Sequence, residues 1–157
     1  MNANVILPPS RVRPAPSHTT IFLAGAIDNG QAVHWQKQVT NRFQWYPNAC
    51  FYNPRRDDWD ASWVQSWDNP QFAEQVEWEL DKIEDADHIF MYFPEKSVAP
   101  ITLLEFGYII GRCPTKLIVA AEPGYWRRGN LEVVCRRNKI ELLSTLDQGI
   151  DELLKWL

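Results

Sequence analysis

The chain has little of what several classes of protein depend on. Its 157 residues include seven glycines, three histidines and three cysteines, and no two cysteines form a C-x-x-C pair. This composition predicts reduced cysteines, no disulfide framework and no metal site. The formal net charge is −4, without the excess of basic residues that a dedicated nucleic-acid-binding protein carries. We therefore expect no nucleic-acid partner.

Long hydrophobic runs are also missing. No stretch reaches the roughly 18 consecutive apolar residues that a membrane-spanning helix needs, and the first residues lack the apolar run of a secretory signal. These absences argue against a membrane partner and favour a cytoplasmic location. The chain does contain 45% hydrophobic and 13% aromatic residues, including eight tryptophans, at a length that suits one globular domain.

Proline dominates the start of the chain. Four prolines fall within residues 1–18, and each removes a backbone donor and blocks a helix. We expect residues 1–18 to form a flexible tail and residues 19–157 to form the single folded domain.

The rest of the sequence alternates between two patterns. Short β-branched or apolar runs predict strands, and apolar residues at helical spacing predict helices. The predicted strands are 19–24, 49–52, 88–93, 116–120 and 140–143. The predicted helices are 35–43, 70–84 with Asn69 as N-cap, 102–110, 131–136 and 146–157.

This alternation predicts an α/β fold, a three-layer sandwich in which a mostly parallel five-stranded sheet lies between helices. Ligands bind such sheets beyond the carboxyl ends of the strands. Four segments should therefore meet at one crevice, namely 25–30, 53–67, 93–105 and 121–130.

Two glutamates are the strongest candidates for chemistry. Glu105 lies near the amino end of an apolar helix, where a buried carboxylate needs hydrogen bonds, a shifted pKa or a function. Glu79 lies within roughly 20° of Phe72 on the inward stripe of its own helix. A solvent-facing Glu105 and an ion-paired Glu79 are the alternatives. Two inward carboxylates on neighbouring helices would suit glycosyl transfer.

A polar, tryptophan-rich segment joins the second strand to the Glu79 helix. Arg55 can clamp a carboxylate or phosphate, and Asp57 or Asp58 can hold sugar hydroxyls. Trp59 can cover a nucleobase. A solvated loop, or a tryptophan stripe in the core or at a subunit interface, is the alternative. The glycines form no G-x-G-x-x-G or P-loop pattern, which argues against a dinucleotide site and an ATPase.

Several short motifs follow one another between Ile21 and Asn130. They are Phe22-Leu23-Ala24-Gly25-Ala26-Ile27, Trp35, Asn53-Pro54-Arg55-Arg56 with Asp58-Trp59, Gln75-Val76-Glu77-Trp78-Glu79, Ala86-Asp87, and Leu104-Glu105-Phe106-Gly107. In this order they resemble the nucleoside 2-deoxyribosyltransferase family, and more specifically its nucleoside 2-deoxyribosyltransferase-like branch. The resemblance implies a flavodoxin-like, Rossmann-like domain that moves a 2-deoxyribosyl group between nucleobases, with retention at the anomeric carbon and no cofactor.

The resemblance also implies roles for individual residues. The family's nucleophile is the glutamate of a Glu-x-Gly pattern, which matches Glu105, and its acidic residue one helix earlier matches Glu79. The family borrows an asparagine from a neighbouring subunit to contact the sugar 5′-hydroxyl; Asn130 matches it, which implies a homo-oligomer whose neighbouring subunit completes the site. The other expected substrate-binding residues are Gly25, Ile27, Arg55, Asp57, Asp58, Trp59 and Ser97.

The sequence departs from the family pattern at two places. Some members carry a tyrosine that hydrogen-bonds the nucleophile, but the matching residue here is Phe22. An acidic residue found shortly before the nucleophile has no counterpart in 97–100, and Asp57 or Asp58 could substitute for it.

The implied activity is that of a nucleoside 2-deoxyribosyltransferase in nucleoside salvage. Its substrates would be 2′-deoxyribonucleosides and free nucleobases, and a covalent glycosyl-Glu105 would be the intermediate. One alternative is an N-glycoside hydrolase of the same fold that cleaves nucleosides or nucleoside 5′-monophosphates. The other is a non-catalytic nucleotide-binding module.

Overall fold

Apolar runs and helical stripes alternate along the chain, and they form alternating strands and helices. The computed structural model describes residues 4–27, 34–56 and 58–157. The strands are β1 (Asn4–Ile6), β2 (Thr19–Gly25), β3 (Ala49–Tyr52), β4 (His88–Phe93), β5 (Leu117–Ala121) and β6 (Leu142–Leu143). The helices are α1 (Trp35–Arg42), α2 (Pro70–Asp85), α3 (Pro100–Arg112), α4 (Arg128–Arg137) and α5 (Leu146–Trp156), and a 3-10 turn (Pro114–Lys116) precedes β5.

The described strands form one all-parallel sheet in the order β1-β3-β2-β4-β5-β6. Leaving out β1, this is the strand order of flavodoxin-like folds. The chain turns outward from β2 to β3 on one side and then continues through β4 on the other. The carboxyl ends of β2 and β4 therefore flank the switch point at which such folds bind ligands.

The prediction of five strands and of a flexible tail over 1–18 is wrong for Asn4–Ile6, which adds a sixth strand. Val5 pairs with Phe51 at the edge of the sheet, and the chain beyond β1 is tied down where Trp78 donates a hydrogen bond to the Ser10 carbonyl at 2.8 Å. Three residues beside Pro8 are too few to show a strand period. The edge of β3 supplies the backbone partners that make this segment a strand.

The sheet lies between two layers of helices because its central strands are apolar on both faces. Along β2, Phe22 and Ala24 join one core while Ile21 and Leu23 join the other. Helices α2, α3 and α4 cover the first face with Trp78, Ile83, Phe106, Ile109, Leu131 and Cys135. Helices α1 and α5 cover the second face with Trp35, Val39, Ile150 and Leu153.

The sequence pattern predicts the start of α2 correctly but not the start of α3. The Asn69 side chain accepts a hydrogen bond from the Phe72 N–H at 3.2 Å, and Pro70 takes the first helical position, as predicted. Helix α3 begins at Pro100, two residues before the predicted start, since Ala99 adopts a left-handed conformation (φ 47°) that turns the chain into the helix. No helix in the described parts of the chain is long and apolar enough to cross a membrane.

Candidate active site

Glu79 and Glu105 come from α2 and α3, which pack side by side on the same face of the sheet. Glu105 lies in the second turn of α3, is only 9% exposed, and shares its buried side with Thr102 and Phe106. The solvent-facing alternative for Glu105 is therefore wrong. Glu79 is partly buried and accepts a hydrogen bond from Gln75. It forms no ion pair with the described part of the chain.

The electrostatics of the two carboxyl groups are linked. Burial raises the pKa of Glu79 to about 7, against the smaller opposing effect of the Gln75 hydrogen bond. Burial also raises the pKa of Glu105 well above its usual range, and the negative charge of Glu79 raises it further. Like charges that interact in this way cannot both ionise readily, so the pair retains a proton at neutral pH.

Gln75 is a site residue that was not singled out from the sequence. Its Nε2 donates to Glu79 Oε1 at 2.7 Å and to the Pro54 carbonyl at 3.1 Å. Its Oε1 accepts from Arg56 Nη1 at 3.5 Å. The four-residue spacing of Gln75 and Glu79 on one helix is the sequence signal that could have revealed the pair.

Arg55 and Arg56 follow β3 but turn to opposite faces of the sheet. Arg55 is 8% exposed and lies near α1, with Nη1 3.5 Å from Gln36 Oε1 and Nη2 3.4 Å from His34 Nε2. Arg56 instead reaches α2 and Gln75. The contacts of Arg56 lead through Gln75 to Glu79.

Asp58 of the same loop is engaged locally. Arg56 donates to both oxygens of Asp58 at 2.8 Å, and these hydrogen bonds hold the pKa of Asp58 below its usual range. Asp57 lies outside the described residues. In this structure Asp58 therefore fixes the Arg56 guanidinium.

Two of the three loop tryptophans contact each other. The rings of Trp59 and Trp63 meet edge to face at 5.0 Å, and the Arg56 guanidinium lies 5.6 Å from the centre of the Trp63 ring. Trp67 is 77% exposed. The three tryptophans are spaced four residues apart, as in a helical stripe, but only Trp59 and Trp63 contact each other.

Gly25 and Ile27 lie at the carboxyl end of β2, at the switch point of the sheet. A methyl group at Gly25 would lie 2.5 Å from a ring carbon of Trp35 and 2.6 Å from the Tyr92 carbonyl oxygen. Glycine is thus required here by the packing of Trp35, whose Nε1 donates to the Ala26 carbonyl at 3.2 Å. Ile27 is partly buried.

Ser97 and Asn130 follow β4 and β5 at the same edge of the sheet. Ser97 is buried in the loop before α3, and its hydroxyl donates to the Pro94 carbonyl at 2.8 Å. Asn130 is exposed in the first turn of α4. The structure therefore places Ser97 in the approach to the Glu105 helix and leaves the Asn130 side chain at the surface.

Two surface cavities lie apart from the carboxylate pair. One, of about 390 Å³, lies beside the start of β5 and is lined by Lys139 and Trp156 among others. The other, of about 530 Å³, lies between the N-terminal segment and the outer side of α2, near Arg11 and Asp81. Neither is lined by Glu79 or Glu105. The candidate site is thus identified by its buried carboxyl groups.

A family model described as "nucleoside 2-deoxyribosyltransferase like" matches residues 18–125. The chain belongs to this family. Membership points to a nucleoside-modifying enzyme. The match runs from β2 through β5 and includes both glutamates, whereas Asn130 lies beyond it. Comparison with curated proteins gives no match.

Phe22 occupies the position at which this nucleoside 2-deoxyribosyltransferase-like chain lacks the expected tyrosine. Phe22 is fully buried in the same core as Phe106, the residue after Glu105. Its ring adds to the apolar surroundings of that helix and offers no hydrogen bond. Raised pKa values are expected for carboxyl groups in such surroundings.

Proposed function

We propose that this protein is a nucleoside 2-deoxyribosyltransferase, which exchanges the base of a 2′-deoxyribonucleoside for a free nucleobase through a covalent glycosyl-Glu105 intermediate. The observation that carries the proposal is the buried, electrostatically linked pair of Glu79 and Glu105 in a member of this family. Paired carboxyl groups with raised pKa values supply both a nucleophile and an acid.

The two glutamates take different parts in the proposed reaction. The Glu105 carboxylate attacks C1′, the bond from C1′ to the base nitrogen breaks, and the leaving base takes a proton from Glu79. The incoming base then attacks C1′ and displaces the Glu105 carboxylate, while its proton passes to Glu79. Two displacements at C1′ give retention of configuration.

The pair holds the number of protons that this division of labour requires. The reaction needs one proton for two carboxyl groups, and the pair retains a proton at neutral pH because both pKa values are raised. In the protein without ligand the Gln75 hydrogen bond favours an ionised Glu79 and a protonated Glu105. Substrate binding must therefore move the proton to Glu79 before Glu105 attacks C1′.

Burial of Glu105 favours transfer over hydrolysis. A side chain that is 9% exposed is poorly accessible to water, so a glycosyl ester on it would survive until a second base arrives. The proposal includes no cofactor, a cytoplasmic location, and a homo-oligomer in which the exposed Asn130 of a neighbouring subunit contacts the sugar. Arg55, Asp57, Asp58, Trp59, Gly25, Ile27 and Ser97 are the other proposed substrate contacts.

Base exchange can be tested directly. We expect the protein to convert deoxyinosine and adenine to deoxyadenosine and hypoxanthine, which chromatography separates. When adenine is left out, hypoxanthine release should stop once the enzyme carries its deoxyribosyl group. Continued release of hypoxanthine without an acceptor, far in excess of the enzyme, or base release from a nucleoside 5′-monophosphate, would instead favour the hydrolase. No turnover on a panel of nucleosides and monophosphates would favour a non-catalytic binding module.

The proposed nucleophile has its own test. Glu105→Ala should remove essentially all exchange while circular dichroism shows an intact fold, since no other group is proposed to bond to C1′. Glu77→Ala, which changes an exposed glutamate of α2, should retain activity. Mass spectrometry of wild type incubated with deoxyinosine should detect one added deoxyribosyl group that is absent from Glu105→Ala. More than a tenth of wild-type activity in Glu105→Ala would rule out the assignment.

A further inference from the structure

Gln75 connects the loop after β3 to the carboxylate pair. Its side chain is nearly inaccessible, at 4% exposure, and its amide touches a carbonyl, a carboxylate and a guanidinium. An apolar residue would fill this inward position of α2 at lower cost, because a buried amide must keep its hydrogen bonds. Its contacts explain why an amide is useful there.

The partners of Gln75 permit only one orientation of the amide. The Pro54 carbonyl can only accept a hydrogen bond, and the Arg56 guanidinium can only donate. The NH₂ group must therefore face Pro54 and the amide oxygen must face Arg56. The second hydrogen of the NH₂ group is then directed at Glu79 Oε1, 2.7 Å away.

Arg56 is itself held in place, so the amide orientation does not depend on a mobile side chain. Its side chain is 11% exposed, and two of its nitrogens bind Asp58 at 2.8 Å. The remaining terminal nitrogen, Nη1, is the one 3.5 Å from Gln75 Oε1. A bidentate arginine pair of this kind fixes the plane of the guanidinium.

We infer that Gln75 is a positioning residue that keeps Oε1 of Glu79 as an acceptor, so that the proton Glu79 exchanges with the nucleobase resides on Oε2. The inference rests on the proposed function, in which Glu79 is the acid. Donation from Gln75 occupies Oε1, and a proton on that oxygen would face the hydrogen of the amide. Gln75 thereby selects the oxygen that carries the proton and stabilises the ionised form of Glu79.

The test replaces Gln75 by leucine, which fills a similar volume without a donor. Loss of the hydrogen bond should raise the pKa of Glu79 by about one unit, a tenfold change in proton affinity. Below that pKa the pair holds two protons and has no nucleophile. The acidic limb of kcat/KM against pH should therefore move to higher pH by about one unit, and the alkaline limb should stay in place. At pH 7 kcat/KM should fall roughly fivefold, because the singly protonated fraction of the pair falls from about a half to about a tenth.

Gln71→Leu is the matched control, because it makes the same change at an exposed position of the same helix. It should leave both limbs of the profile unchanged. A purely structural role of Gln75 would lower the amount of folded protein without moving either limb. If Gln75→Leu does not fold, Gln75→Asn keeps an amide but shortens the side chain beyond reach of Glu79, and the same shifts are expected.

Carbon-13 NMR titration of the Glu79 carboxyl provides a measurement that does not depend on activity. An upward shift of its titration midpoint in the Gln75 variant supports the inference, and an unchanged midpoint overturns it. If the midpoint moves but wild type exchanges no bases, the proposed function fails while the positioning of Glu79 stands. If wild type exchanges bases and neither the midpoint nor the acidic limb moves, the inference fails alone.

Discussion

Removing the charge of Glu79 should make the protein more stable at alkaline pH, at the cost of its proposed activity. The folded protein holds this carboxyl group in a buried place beside Glu105, which disfavours its ionised form. Glu79→Gln keeps the shape of the side chain and an oxygen that can accept from Gln75. The variant lacks only the ability to ionise.

The sign and size of the effect follow from the pKa of Glu79. Its ordinary value is 4.5 and its value in the folded protein is about 7, so between these pH values the folded protein binds more protons than the unfolded chain. Stability therefore falls as pH rises through this window. A rise of the Glu79 pKa from 4.5 to about 7 lowers the free energy of unfolding by about 3 kcal/mol at pH 8.

Urea unfolding at pH 4 and pH 8 measures this loss. At pH 4 the side chain is neutral in both wild type and Glu79→Gln, so the difference between them reflects only local hydrogen bonding. At pH 8 the free energy of unfolding of Glu79→Gln, relative to wild type, should be about 3 kcal/mol higher than at pH 4. This corresponds to roughly 6–12 °C in Tm. Both pH values avoid the isoelectric point near 5.4, and the protein concentration must be kept constant.

Glu77→Gln provides the control, because it removes the same charge from an exposed position of the same helix. Its difference from wild type should be the same at both pH values within about 0.5 kcal/mol. A relative gain below about 1 kcal/mol for Glu79→Gln, a change of less than one pKa unit, would show that Glu79 is not a buried carboxyl group beside a like charge.

Two further predictions concern packing and capping. Gly25→Ala should lower the free energy of unfolding by about 1–3 kcal/mol, because its methyl group would collide with Trp35. Gly111→Ala, in open space on α3, should raise the free energy of unfolding by roughly 0.5–1 kcal/mol. Similar urea midpoints for the two variants would refute the collision. Asn69→Ala should cost about 1 kcal/mol because the N-cap hydrogen bond of α2 is lost, and an unchanged midpoint would show that the cap contributes nothing.

The fold was largely predictable because its strong elements are local. Strand 49–52 and strand 88–93 have the predicted bounds, since each is a short apolar run closed by a turn residue or proline. β1 was missed, because three residues form a strand only where a neighbour supplies hydrogen bonds. The start of α4 at Arg128 was also missed: predicted to begin at 131, the helix has an exposed first turn that carries no apolar signal.

The candidate site was predictable only in part. Glu105 could be selected because a carboxylate in an apolar helix is unusual in any context. The roles of Gln75 and Arg56 could not be foreseen, because they arise where the loop after β3 meets α2. The opposite directions that the Arg55 and Arg56 side chains take after β3 could not be foreseen either, because no local pattern encodes them.

The sequence by itself determined the α/β class, the positions of most helices and strands, and the two glutamates as candidates, because these depend on hydrophobic period and on residue type. The tertiary structure alone decided that Glu79 and Glu105 share one electrostatic environment and that Gln75 holds one oxygen of Glu79. Those properties depend on the packing of α2 against α3, which excludes water and brings like charges into range.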